Sequence, residues 1–183
     1  MKSEDILIEL EELSSNEEIT KDEIMEILKK YARIISVQDL MMATAHMRKD
    51  GEFVQKNYRE KYLKIYIKYF IMRMKEVKEF EDYDNVPIDK KSFDNSFPML
   101  ERTFEKERIS KSKDDKFPLI YVITSIYTTF ILEEPIHPVG SEFPGNLKIE
   151  EKNGKFLCPV KDNQKDNVNA ICHLCLAEQT PNI

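Results

Sequence analysis

The sequence predicts a mainly α fold: a helical bundle that ends in a small C-terminal β-hairpin and a short-helix knuckle. Three observations predict it. Only four glycines occur in 183 residues, at positions 51, 140, 145 and 154, so the first three-quarters of the chain is poor in turn formers. Apolar residues in that part recur at helical spacing. After Glu134 the style changes to Pro135, His137, Pro138, Gly140, Pro144 and Gly145, a loop dense in breakers. The expected organisation is a bundle over residues 1–134, with the loop, hairpin and Cys-rich knuckle over 135–183 packed on it as one structural unit.

The elements follow in order. Ile6, Leu10 and Leu13 place a first helix over residues 4–14. Thr20 with Glu23 makes a capping box ahead of Ile24, Ile27, Leu28 and Tyr31. Ser36 caps a third helix with Val37, Leu40, Met41 and Thr44 on one face, closing near Asp50-Gly51. A long helix is expected from about Glu52 to Phe80, its apolar side carrying Val54, Tyr58, Tyr62, Ile65, Tyr66, Tyr69 and Phe70. Pro87 leads to a segment with Phe93, Phe97, Leu100 and Phe104. Asp114-Asp115 before Pro118 then suits a helix start. Leu119–Leu132 is rich in β-branched residues, but its length favours a buried helix. Leu147–Cys158 reads as a hairpin, because Asn153-Gly154 suits a type I′ turn in which both central residues take positive φ. A last short helix is expected from Val168 to Gln179.

Composition narrows the classes. Net charge is -6 and sequence pI about 5.3, which argues against a protein whose main work is coating nucleic acid. No apolar signal core follows the acidic start, and the longest apolar run, Phe117 to Leu132, is broken by four hydroxyl residues and is shorter than a membrane span. Three cysteines, an odd number, do not suggest a disulfide scaffold. The expectation is a cytoplasmic protein with no membrane partner.

All three cysteines lie within eighteen residues: Cys158, Cys172 and Cys175. A Cys-x2-Cys pair puts two sulfurs within reach of one metal ion, and the upstream cysteine supplies a third thiolate. A closed tetrahedral site needs a fourth ligand, and His137, fixed between Ile136 and Pro138, is the expected one. His173 lies between the paired cysteines and is expected to point away. Asp162 and Asp166 also suit a plain solvated loop. Zn2+ is the expected ion for a Cys3His set, with a [4Fe-4S] cluster as the alternative. Reactive thiol chemistry and inert burial of reduced cysteines are the competing readings.

Other features weigh less. Lys56, Arg59, Lys61, Lys64, Lys68, Arg73, Lys75 and Lys78 alternate with tyrosines on the long helix, a pattern seen in RNA binders. Glu52, Glu60, Glu76 and Glu79 dilute it, so a solvated face over an aromatic stripe is preferred. Met41, Met42, His46 and Met47 suggest copper, but His46 falls opposite the stripe assigned to the core and reads as an exposed side chain. The acidic N-terminal stretch is read as balancing charge within the fold. No phosphate-binding glycine loop, nucleophile elbow or His-Glu-x-x-His pair occurs. Carboxylates are abundant, but no spacing singles out an acid/base couple, so an enzyme class does not follow from the sequence.

His137-Pro138-Val139-Gly140, Phe143-Pro144-Gly145, Cys158-Pro159-Val160-Lys161 and Cys172-x-x-Cys175 followed by Ala177 and Gln179 resemble an uncharacterised protein family, a domain of unknown function known mainly from methanogenic archaea. The resemblance implies a cytoplasmic, anaerobic setting, which raises the standing of the iron–sulfur alternative. It also implies that His137 and the three cysteines form one constellation. The function expected from the whole is a protein with a Cys3His-type structural metal site, acting as an interaction or regulatory module for a protein partner. The alternative is an iron–sulfur or open-site zinc protein with redox or catalytic activity.

Overall fold

The computed structural model describes residues 2–53, 55–79, 85–110, 116–167 and 170–181. Side-chain caps set the second and third helices. α1 runs Asp5–Ser14. α2, Lys21–Ala32, opens on the expected Thr20/Glu23 capping box. α3, Val37–Asp50, opens on a second box, Ser36 with Asp39. Asp39 also pairs with Lys116 at 3.0 Å, and Lys116 donates to the Ile34 carbonyl at 2.8 Å, so one lysine ties the α2–α3 corner to the start of α7. A 3-10 turn over Gly51–Phe53 precedes α4, Lys56–Glu79. The expected helix to Phe80 is thus shorter at its start, while Val54 and Phe80 lie outside the described residues.

The Phe93–Phe104 segment is two helices, α5 (Lys90–Asp94) and α6 (Phe97–Ser110). Asp114-Asp115 lies outside the described residues. α7, Phe117–Ile126, carries Pro118 in its first turn and is buried almost all round, which overrides the low helix propensity of its β-branched residues. It continues as a π-helical turn, Tyr127–Ile131, in which Leu132 N–H reaches the Tyr127 carbonyl at 3.0 Å. Glu133 then takes a positive φ of 56° and ends the element. α7 touches α2, α3, α4 and α6, and the main core gathers around it.

Three sequence expectations change within the bundle. The buried face of α4 is Leu63, Ile67, Phe70, Met74 and Val77 with Arg73, while Tyr58, Tyr62, Ile65, Tyr66 and Tyr69 of the expected stripe are only half-buried. The buried face of α3 is Leu40, Ala43 and Met47, while Val37 and Met41 are exposed. His46, expected in solvent, stacks on Phe117 with ring centroids 5.3 Å apart. The reason is rotational: α3 packs against α7 and α4 with its Leu40, Ala43 and Met47 side inward.

The C-terminal third is built on short strands. β1, Glu142–Phe143, pairs antiparallel with β2, Leu147–Lys148. β3, Glu150–Lys152, and β4, Lys155–Cys158, form the Asn153-Gly154 hairpin, with φ of 54° and 73° at the turn, as a type I′ turn requires. Leu147 and Lys148 therefore belong to the β1 ribbon and not to that hairpin. The expected final helix is absent from the described residues. Ile171–His173 is a 3-10 turn, and β5, Glu178–Gln179, runs parallel to β4 with Cys158 opposite Gln179. Val168, the expected start of that helix, is outside the described residues. Long-range pairing to β4 wins over local helical spacing here.

The segment docks on the bundle through Leu174, which joins the main core. A smaller core holds Ile149, Cys158 and Ala177 under Phe143, Phe156, Val160 and Cys175. No helix among the described residues is long and apolar enough to cross a membrane.

Candidate metal centre

Cys158 ends β4, where Pro159 cannot continue the ladder and the chain turns into a 3-10 helix over Lys161–Gln164. That turn aims the backbone N–H groups of Val160 and Lys161 at the Cys158 sulfur. Burial, followed by the neighbouring Cys175 thiol, pushes the Cys158 pKa up. The two amides and the Lys161 charge oppose the rise. Cys172 stands in the 3-10 turn, half-buried, its pKa also raised by burial first and then by Cys175 and Cys158. The three sulfurs thus lie within electrostatic reach of one another.

Lys161 and Gln179 hold this arrangement, and the sequence reading gave neither a role. The Lys161 ammonium donates to the Cys175 carbonyl at 2.9 Å and to the Ala177 carbonyl. Gln179 accepts from the Asp162 N–H at 2.9 Å and donates to the Pro159 carbonyl at 3.3 Å, while Thr180 N–H reaches the Cys158 carbonyl at 3.0 Å. A lysine three residues after Cys158 in a Cys-Pro turn was the available signal.

The oxygen and nitrogen candidates have differing surroundings. His173 Nε2 bonds the Asn167 carbonyl at 2.9 Å and is exposed, in keeping with its expected outward direction. Asp162 and Asp166 are exposed. His137 sits against α4, its Nε2 hydrogen-bonded to the Tyr62 hydroxyl at 3.1 Å and its ring among Tyr62, Tyr66 and Phe143. Burial holds its pKa down at about 4, so the imidazole is neutral at physiological pH. Phe143 faces both groups: it meets the His137 ring edge-on and packs on the small core that contains Cys158. Among the described residues, no three His, Cys, Asp or Glu side chains are closed around a common point that would hold a metal ion.

The basic helix is likewise partly committed. Lys61 pairs with Glu142 at 3.3 Å and Lys78 donates to the Ile35 carbonyl at 2.6 Å. Arg73 is buried between Glu76 and Glu134.

A family model described as "Uncharacterized protein conserved in archaea (DUF2115)" matches residues 20–180. A UPF0305 protein of Methanothermobacter thermautotrophicus is 32% identical over 161 residues, covering 87% of this chain and 96% of the relative. One from Methanocaldococcus jannaschii is 29% identical over 158 residues, covering 85% and 94%, and one from Methanopyrus kandleri is 29% identical over 133 residues, covering 70% and 88%. No solved structure matches the chain. The match spans the bundle as well as the cysteine segment, and the chain belongs to the DUF2115 family of archaeal proteins.

Proposed function

We propose that the C-terminal segment is a thiol-held metal knuckle and that the protein is an interaction or regulatory module built on it. Cys158, Cys172 and Cys175 are the thiolate ligands and Zn2+ the ion, with His137 as the fourth ligand of a closed site. The observation that carries the reading is the gathering of three sulfurs, with two backbone N–H groups aimed at one of them and Lys161 beside them. Such donors stabilise thiolate charge, and a borderline-soft dication binds thiolates once their protons leave. The donor set fits zinc. Binding then contributes folding energy to a segment whose own core is small.

A second reading rests on His137. Its Nε2 is engaged by Tyr62, and a closed site requires that bond to open. If it stays shut, the fourth position belongs to water or substrate, and the site is an open zinc centre or a three-cysteine iron–sulfur centre.

Anaerobic purification followed by elemental analysis tests both. The expected outcome is one zinc per chain, lost in Cys172→Ser. Loss of zinc in His137→Ala supports the closed site, and its retention supports the open one. Brown colour with bound iron replaces zinc by the cluster. Wild-type protein without zinc or iron, or full metal content in Cys172→Ser, ends the proposal.

A further inference from the structure

α3 and α4 run antiparallel. The Gly51–Phe53 turn links them at one end, and at the other Lys78 donates to the Ile35 carbonyl just before α3. Lys78 continues an α4 stripe of Lys64, Lys68, Ile71 and Lys75, at the i, i+4, i+7, i+11 spacing of one helix face. That face therefore borders α3. On α3, Asp39 and His46 turn to Lys116 and Phe117 around the start of α7. Val37, Met41, Thr44 and Arg48, again at i, i+4, i+7, i+11, lie on the opposite flank, toward α4. The two stripes border one outer seam.

The seam is apolar in its middle and at one end, and basic around that. Val37 is 74% exposed and Met41 68%, more than any other large apolar side chain among the described residues. The antiparallel course sets them level with Lys75 and Ile71, the latter 40% exposed. Apolar groups massed in water mark a surface that something else covers. Arg48, Lys64 and Lys68 form no ion pair among the described residues, and Lys75 meets the exposed Glu79 at 3.6 Å.

Charge selects the occupant. An apolar strip ringed by cations fits a helix whose apolar group is ringed by carboxylates. The chain, -6 overall, carries such a helix. On α1, Ile8 is 55% exposed, with Glu4, Glu11 and Glu12 at i−4, i+3 and i+4. Glu9 is paired with Lys30, but Glu11, Glu12, Glu17 and Glu18 are exposed and meet no cation among the described residues. α1 packs on α2, α5 and α6 of its own chain and leaves this face outward. The lengths agree: ten residues of α1 make about 15 Å, and Val37 to Arg48 span about 16 Å. A nucleic acid would meet the cations but leave Val37, Met41 and Ile71 without an apolar counterpart, and the net negative charge would repel it.

We propose that the α3–α4 seam is a self-association surface that receives the outer face of α1 from a second copy of this chain. Ile8 enters beside Met41 and Ile71, and Glu11 and Glu12 meet the lysines of α4. Made reciprocally, the contact closes a dimer; made one way, it extends into a row of copies. The inference is independent of the thiol cluster.

Sedimentation velocity on the full chain, over a range of protein concentrations, tests it. Association is expected at about 50 mM NaCl and should weaken about ten-fold or more at about 500 mM, where screening is strong. Lys64→Glu/Lys68→Glu is expected to sediment as a monomer at low salt with an unchanged circular dichroism spectrum. Ile8→Ser, an exposed change on the other side of the contact, is expected to weaken association as well. Adding Glu11→Lys/Glu12→Lys to the lysine variant reverses both sides of the contact and is expected to restore association. Three results overturn the proposal: wild type stays monomeric at low salt, the folded lysine variant or Ile8→Ser associates as wild type does, or the folded four-fold variant remains monomeric. A monomeric wild type that binds a single-stranded RNA oligonucleotide through Lys64 and Lys68 would give the seam to nucleic acid instead.

Discussion

The Glu9 carboxylate accepts two hydrogen bonds from Lys30, at 2.7 and 2.8 Å, and one from the Tyr31 hydroxyl at 2.6 Å. The acidic N-terminal stretch therefore balances charge inside the fold at this position, as its composition suggested. Lys30 first and Tyr31 second hold the Glu9 pKa below its ordinary 4.5. A folded-state pKa that is depressed gives stability present above the unfolded value and lost as pH falls through the folded one. Lys30 is half exposed, so water screens much of the Coulomb attraction, and the whole arrangement is worth roughly 1 kcal/mol. Urea unfolding of wild type and Glu9→Gln should differ by that amount near neutral pH, and the difference should shrink below about pH 4.5. A difference that stays constant into strong acid would remove Glu9 from the acid response. His137 shows the opposite limit of residue-level reading. Its Pro-flanked position was visible, but its partner Tyr62 lies 75 positions away in the chain, and no local pattern announces it.

At the scale of elements, what the sequence disclosed was local. Thr20 and Ser36 were legible as caps because a capping box is complete within four residues. Thr20 carries more than its cap: Lys21 N–H bonds the Val86 carbonyl at 3.0 Å and Ile88 N–H bonds the Ile19 carbonyl at 2.9 Å, so the start of α2 also anchors the segment before α5. Thr20→Ala should cost about 1 kcal/mol in unfolding free energy, and Glu23→Ala a comparable amount, with the double variant costing less than the sum because each group serves the other. Strict additivity in chemical denaturation would show that the box does not act as a unit. Asn153-Gly154 was legible for the same local reason. The final helix was not, because Glu178 and Gln179 find their backbone partners in β4, twenty-one residues upstream, and spacing alone cannot register that competition. The α3 face was misassigned because Ala43 is small and weakly hydrophobic, and only the neighbouring helices make a small residue the buried one. In the candidate site, the three cysteines were legible as a group from their spacing. Lys161 and Gln179 were not, because their roles are hydrogen bonds across a folded-back loop.

At the scale of the molecule, two cores of unequal size share one chain. The bundle core surrounds α7, while the C-terminal core has Ile149, Cys158 and Ala177 at its centre. Among the contacts that join them are Leu174 inserted into the bundle, the Tyr58 hydroxyl accepting from the Gly145 N–H at 3.3 Å, the Lys61–Glu142 ion pair, and His137 held by Tyr62. So little buried surface in the smaller core should let β3–β5 open before the bundle does. Native-state hydrogen exchange should therefore give lower opening free energies for amides paired across β3, β4 and β5 than for those within α2 and α7. Leu174→Ala sharpens the test. If the strands and Leu174 leave the bundle together, both the local opening and global unfolding expose the same side chain. The substitution should then lower both free energies equally, by about 2–4 kcal/mol for a buried leucine. A fall confined to the bundle amides would mean that Leu174 stays docked while the strands open, so that the hinge lies between Leu174 and β5. Equal protection across the whole chain would mean that the two cores unfold as one.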